Sequence, residues 1–185
     1  MAPKLVGSIA RAVHLAESTL AYGRAEEPTP ELEDIRLADL VEDVLETERL
    51  AAGEADLELR ADIPAGLVVQ ADHEQLHRVL SNLVRNARQA LTDTGRAGEI
   101  RVKAAAEDDC VTITVADTGP GLPQKAREHL FQPFHGGATK GGTGLGLSIA
   151  QELVRGHGGE LSLARTDETG TAFTLRLPAS TATGG

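Results

Sequence analysis

Residues 141–150 read Gly-Gly-Thr-Gly-Leu-Gly-Leu-Ser-Ile-Ala, and the segment that follows them decides what kind of fold can hold them. Leu147, Ala150, Gln151 and Val154 recur at helical spacing, so a helix from Gly144 to about Arg155 begins inside the glycine run. A flexible linker fits poorly for that reason. A glycine-rich entry into a helix leaves backbone N–H groups without intrahelical partners at the positive end of the helix dipole, where phosphates are held. The run is not a Walker A loop, because Lys140 precedes the glycines and no Gly-Lys-Ser/Thr follows. It is not the dinucleotide fingerprint either, since the third glycine of G-x-G-x-x-G is missing and no strand leads directly into it.

Upstream lies a strand in which Val111, Ile113 and Val115 alternate with Thr112, Thr114 and Ala116, giving one apolar face. Asp117 is in phase with the apolar residues, and a carboxylate aimed along the core face is costly unless something answers it. Thr118-Gly119-Pro120-Gly121 follows, with glycines that let the backbone approach a flat ligand closely. An Asp capping its own turn is the plain alternative. The phase favours an Asp that accepts a hydrogen bond from an exocyclic amine such as that of adenine.

Further upstream, Leu76, Val79, Leu80, Leu83, Val84, Ala87, Ala90 and Leu91 predict a helix from about Asp72 to Leu91. At about 100° per residue, Asn86 falls about 40° and Gln89 about −20° from Asn82, while the apolar stripe centres at about 120°. Two Asn residues at i and i+4 are a local cost to a helix. They are either a surface pair or a polar strip beside the buried face, with an amide oxygen for a hard cation such as Mg²⁺. The helix alone leaves these readings balanced; the neighbouring strand and loop favour the second.

The rest of the chain supplies the frame. Leu37, Leu40, Val41, Val44 and Leu45 form a short helical stripe. Strands are predicted at 57–60, 67–70, 99–105, 111–117, 160–164 and 171–177, with a turn at Ile63-Pro64-Ala65-Gly66. This segregation predicts an α+β fold, a two-layer α/β sandwich with a mixed sheet packed on helices. One long helix precedes it, with the apolar stripe Leu5, Ile9, Val13, Ala16 and Leu20. Ala25 to Pro30 reads as an exposed linker. The expected division is a helical remnant at 1–24, a linker at 25–36, the main domain at 37–178 and a disordered small-residue tail at 179–185.

Composition sets outer limits. A chain of 185 residues with 41% hydrophobic and 2% aromatic residues builds its core from aliphatic side chains. A net charge of −10 argues against a nucleic-acid footprint but leaves a local anion site possible. The single cysteine, Cys110, excludes an intramolecular disulfide. No apolar run approaches the roughly 20 residues of a membrane span. The expectation is a soluble, cytoplasmic chain, whose parent could still be membrane-anchored through a part not present here.

Five segments then converge. LSNLVRNARQAL (80–91), DTGPGLP (117–123), FQPF (131–134), GGTGLGLSIA (141–150) and GTAFTLRLP (170–178) resemble the N, G1, F, G2 and G3 boxes of sensor histidine kinases of two-component systems, in order. HGGE (157–160) also sits where that family has it. The similarity runs from about Leu37 to Pro178. It implies the Bergerat ATP-binding fold shared with gyrase, mismatch-repair ATPases and heat-shock chaperones. Residues 5–36 further resemble the second helix of the dimerisation hairpin and its exit linker.

The resemblance implies that Asn86 coordinates Mg²⁺, that Asn82 supports the phosphate end, and that Asp117 binds the adenine amine, with Gly119 and Gly121 shaping that wall. Gly142, Gly144 and Gly146, with Thr143 and Leu145 between them, present backbone to the ATP phosphates. Thr171 is implied in a water-mediated contact near the base. Phe131 and Phe134 anchor a lid at about 123–143. Lys140 on that lid is equally a terminal-phosphate ligand or a solvated lysine. Gln89 departs from the family, which often has a basic residue there; helical phase turns Arg85 and Arg88 away from the Asn82–Asn86 edge.

The family's phosphoacceptor is a histidine in a motif like His-Glu-Leu-Arg-x-Pro, and none of the six histidines has that setting. His14 lacks an acidic neighbour, and His73, His77, His129, His135 and His157 fall in the ATP domain. The chain therefore reads as a kinase shortened at its N-terminus, one that binds Mg-ATP and does not autophosphorylate alone. Its implied partners are the dimerisation and phosphotransfer domain, a response-regulator receiver domain, and a second copy through the N-terminal helix. The competing readings are a degenerate docking protein for a response regulator and an anti-sigma-type serine kinase. Intact Asp117 and glycines weigh against the first, and GTGLGLSIA with HGGE against the second.

Overall fold

The computed structural model describes residues 28–133 and 144–179. Strand β1 (Glu33–Arg36) runs into helix α1 (Leu37–Ala52), followed by β2 (Leu57–Asp62), β3 (Val68–Ala71) and the long helix α2 (His73–Thr94). Then come β4 (Gly98–Ala106), β5 (Cys110–Asp117), a five-residue helix α3 (Gln124–Glu128), α4 (Gly146–Gly156), β6 (Glu160–Asp167) and β7 (Gly170–Pro178).

Five strands form one sheet in the order β2-β4-β5-β7-β6. Its β2–β4 pair is parallel and the other pairs are antiparallel, so the sheet is mixed as expected. Strands β1 and β3 pair antiparallel in a separate two-stranded sheet. The last four residues of the expected 25–36 linker form β1. Only Ile35 of that strand is buried, so it carries no alternation that a sequence could display.

One layer is this sheet and the other is α1, α2 and α4. Asp72 caps α2 by accepting from the Gln75 N–H at 3.0 Å, and left-handed Gly95 closes it. Along α2, Leu76, Val79, Leu80, Leu83, Val84 and Leu91 are each at most 2% exposed. They pack between α1 and α4 and onto β4 and β5. In β5 the buried positions are Cys110, Val111, Ile113, Val115 and Asp117. The intervening threonines face outward, where Thr114 and Thr174 hydrogen-bond across strands at 3.2 Å.

His157, just past α4, accepts at Nε2 from the Asp72 N–H (3.0 Å) and so donates from Nδ1 to the Leu153 carbonyl (2.8 Å). It thus pins the end of α4 to the start of α2. No helix among the described residues is long and apolar enough to cross a membrane. The helix expected over residues 5–20, most of the 179–185 tail and the segment 134–143 lie outside the described residues.

Candidate functional site

The buried end of β5 carries Asp117, 8% exposed and on the core side of the sheet with Val111, Ile113 and Val115. Burial pushes its carboxyl above the ordinary carboxylate range, while the backbone N–H groups of Gly119 and Thr171 and the charge of Arg165 pull it back. The Gly119 N–H donates to Oδ1 at 2.7 Å. An ionised carboxylate is acceptor-only, so what it suits in a ligand is a donor such as an amine.

The segment after Asp117 is shaped by close approach to the β6–β7 hairpin. Gly121 has φ +76°, and a Cβ there would lie 2.1 Å from the Asp167 carbonyl oxygen. A Cβ on Gly170 would lie 1.8 Å from the carbonyl oxygen of Asp117 itself. Neither position accepts a side chain. The Leu122 N–H donates to Thr166 Oγ1 at 2.7 Å, and that hydroxyl lies 3.2 Å from the Thr171 hydroxyl.

The polar edge of α2 meets the start of α4. Asn82 is 8% exposed, and its Oδ1 lies 3.5 Å from where a Cβ on Gly146 would stand. Asn86, one turn further, is half-buried. Leu145, fully buried, stands at the N-terminal boundary of α4 and brings no capping side chain of its own. The chain enters it through Gly144 at φ +70°. The first-turn N–H groups of α4 and the amide of Asn82 thus share one locality, a combination suited to an oxyanion.

Thr171 is 5% exposed and stands opposite Asp117 in the β5–β7 ladder. Phe131 packs its ring edge to face with Phe173, centroids 6.5 Å apart, tying the residues after α3 to the core. Arg88 and Arg85 both turn to α1, where Glu48, 2% exposed, meets Arg88 Nε at 2.6 Å and Arg85 Nε at 3.6 Å. Lys140, Gly142, Thr143 and Phe134 lie outside the described residues.

Sequence reasoning missed Thr166, Gly170 and Glu48. Gly170 carried a signal in its motif but not in its spacing; the other two depend on partners distant in the chain. A shallow cavity of about 290 Å³ on the outer sheet face, lined by Lys103, Thr112 and Thr114 among others, includes none of the candidate residues.

A profile described as histidine kinase-, DNA gyrase B-, and HSP90-like ATPase matches residues 71–181. The chain is 36% identical over 177 residues to the sensor histidine kinase RppB of Synechocystis sp., covering 91% of this chain and 38% of that relative. It therefore spans well under half the length of that protein. The full-length kinase ShkA in complex with AMPPNP superposes with a TM-score of 0.73 at 27% identity, covering 95% of this chain and 36% of that one. The histidine kinase ThkA in complex with the response regulator protein TrrA does so with a TM-score of 0.74 at 25% identity, covering 95% and 49%.

Proposed function

The chain belongs to the histidine kinase-, DNA gyrase B- and HSP90-like ATPase family, and from that premise we propose that it is the Mg-ATP-binding catalytic domain of a sensor histidine kinase, donating the ATP γ-phosphate to a histidine outside this chain. The observation that carries this reading is Asp117, a buried carboxylate beside a wall of close-packed glycines. Burial keeps that carboxylate costly even with the Gly119 and Thr171 N–H groups on it, and the adenine amine supplies a further donor.

In this reading Asp117 accepts from the exocyclic amine, while Gly119 and Gly121 form the wall beside the base and Thr171 adds a water-mediated contact. Asn82 stands at the phosphate end. Gly142, Thr143, Gly144, Leu145 and Gly146 present backbone N–H groups to the phosphates at the start of α4. Lys140 reaches a terminal phosphate or stays in solvent. Phosphoryl transfer needs mostly positioning and charge stabilisation, which such an array supplies.

No group of three or more His, Cys, Asp or Glu side chains among the described residues could cage a metal ion. A single amide oxygen at Asn86 fits Mg²⁺, which binds through substrate phosphates, several waters and one or two protein oxygens. Asn86 would hold it, and the charge neutralisation it supplies at the phosphates lowers the cost of transfer.

The partners follow from the same reading: the dimerisation and phosphotransfer domain of the kinase, a response-regulator receiver domain, and a second copy through residues 1–24. The domain limits proposed are 37–178 for the ATP-binding unit, with 25–36 leading into it. Isothermal titration with AMPPNP and Mg²⁺ tests the core of the proposal. Binding is expected, and Asp117→Asn should weaken it by about 1.5–3 kcal/mol, as for a hydrogen bond to a charged group. Binding indifferent to both Asp117→Asn and Asn86→Ala would overturn the assignment.

A further inference from the structure

The loop leaving Asp117 belongs to no regular element, so its shape must come from what it rests on. It rests on the β6–β7 hairpin at three points. Two are close backbone approaches, Gly170 against the Asp117 carbonyl and Gly121 against the Asp167 carbonyl, which limit the loop without directing it. The third is directional: the Leu122 N–H donates to Thr166 Oγ1 at 2.7 Å.

Thr166 reaches that position through an irregularity. In β6, Leu161 pairs with Leu175 and Leu163 with Phe173, so strict alternation would bring Arg165 opposite Thr171 on the core face. A register shift between Leu163 and Arg165 moves the pairing on by one, and Thr166 faces Thr171 instead. The exposed Arg165 and the half-buried Thr166 match that change of phase. Bulges of this kind re-aim side chains beside functional sites.

The protons can then be followed. Thr166 Oγ1 accepts from the Leu122 N–H and shares a 3.2 Å hydrogen bond with the Thr171 hydroxyl, in which either oxygen can donate. With Thr166 as the donor of that pair, the Thr171 proton is available to a ligand or a bridging water. The backbone N–H of Thr171 meanwhile supports the Asp117 carboxylate. One hydroxyl therefore links the loop's exit, the residue beside the base and, through Thr171, the carboxylate.

We propose that Thr166 is a positioning residue of the nucleotide site: its bulge-directed hydroxyl latches Leu122, at the root of the segment that leads into 123–143, and orients the hydroxyl of Thr171 toward the ligand. The proposal rests on the ATP-binding reading above, but the latch itself exists without nucleotide.

The test uses the full chain and three proteins: wild type, Thr166→Val, which keeps the shape and removes the hydroxyl, and Thr166→Ser, which keeps the hydroxyl. In the nucleotide-free state, amide hydrogen exchange at Leu122 should accelerate in Thr166→Val and stay near wild type in Thr166→Ser. Titration with AMPPNP and Mg²⁺ should show Kd raised roughly five- to tenfold in Thr166→Val, as for loss of one hydrogen-bond node, and restored to within about twofold in Thr166→Ser. Unchanged exchange at Leu122, unchanged affinity in Thr166→Val, or a Thr166→Ser protein as weak as Thr166→Val each overturns the proposal. Should Thr166→Val not fold, Thr166→Ala takes its place against the same serine control. A wild type that fails to bind AMPPNP overturns the ATP-binding reading and with it the ligand-orienting role, while the exchange comparison still decides the latch separately.

Discussion

Asp117 shows at the scale of one residue how a proposed binding group taxes the fold that carries it. Burial, the largest influence, lifts its folded-state pKa above the ordinary carboxylate value, so the folded chain holds that proton more tightly than the unfolded chain does. The stabilisation from that proton is fully present below the unfolded pKa and is lost as pH rises through the folded one. Near neutral pH the ionised carboxylate is then a net cost in the nucleotide-free protein. Asp117→Asn keeps an Oδ1 for the Gly119 N–H and removes the charge. It should therefore unfold at a higher urea concentration than wild type near pH 7, with the gap closing as pH falls through the Asp117 titration. A mutant less stable than wild type at neutral pH would contradict the burial argument. Asp117 was legible in the sequence because its phase along β5 is unbroken. Thr166 was not, because the register shift in β6 inverts the phase just before it.

Between elements, the contact that matters for the site is the one that sets the Asn edge of α2 against the start of α4. A Cβ at Gly146 would meet Asn82 Oδ1 at 3.5 Å, an ordinary van der Waals distance. Gly146→Ala should therefore fold and gain up to about 1 kcal/mol from helix propensity. By placing a methyl group beside the Asn82 amide, where the phosphate end of the ligand is proposed to lie, it should nevertheless weaken AMPPNP binding several-fold. Equal losses of stability and affinity would instead mark Gly146 as a packing residue. On the far side of α2, Glu48 lies buried between α1 and two arginines. Arg88→Met strips away its closer partner and should destabilise the chain, though by less than the roughly 3–5 kcal/mol of an orphaned buried charge, because Arg85 remains. Glu48→Met combined with Arg88→Met should recover most of that loss in chemical denaturation. The length and face of α2 could be read from its three- and four-residue steps. The Glu48 pairing could not, since its partner lies 40 residues away, and neither could α3, which buries no residue.

For the whole molecule, the two layers place the parts of the proposed site on different elements: Asp117 at the end of β5, the Asn pair on α2, and the helix start on α4. A ligand touching all three binds the folded chain and has no counterpart in the unfolded one, so it must raise stability by mass action. At a free concentration about 100 times Kd the gain is about 2.7 kcal/mol, or roughly 5–10 °C in Tm for a chain of this size. AMPPNP with Mg²⁺ should produce such a shift in wild type and a much smaller one in Asp117→Asn at the same concentration. Binding and transfer should then come apart. These elements supply the proposed pocket, while none of the six histidines stands in a sequence like His-Glu-Leu-Arg-x-Pro, and those with described ring contacts use them locally. His157 employs both ring nitrogens to join α4 to α2, and His77 and His129 contact Ser81 and Gln132. Incubated alone with labelled ATP, the chain should gain nucleotide-dependent stability yet incorporate no acid-labile phosphate. Label that resists base, is lost in acid and maps to one of these histidines would show that the ATP-binding unit carries its own acceptor.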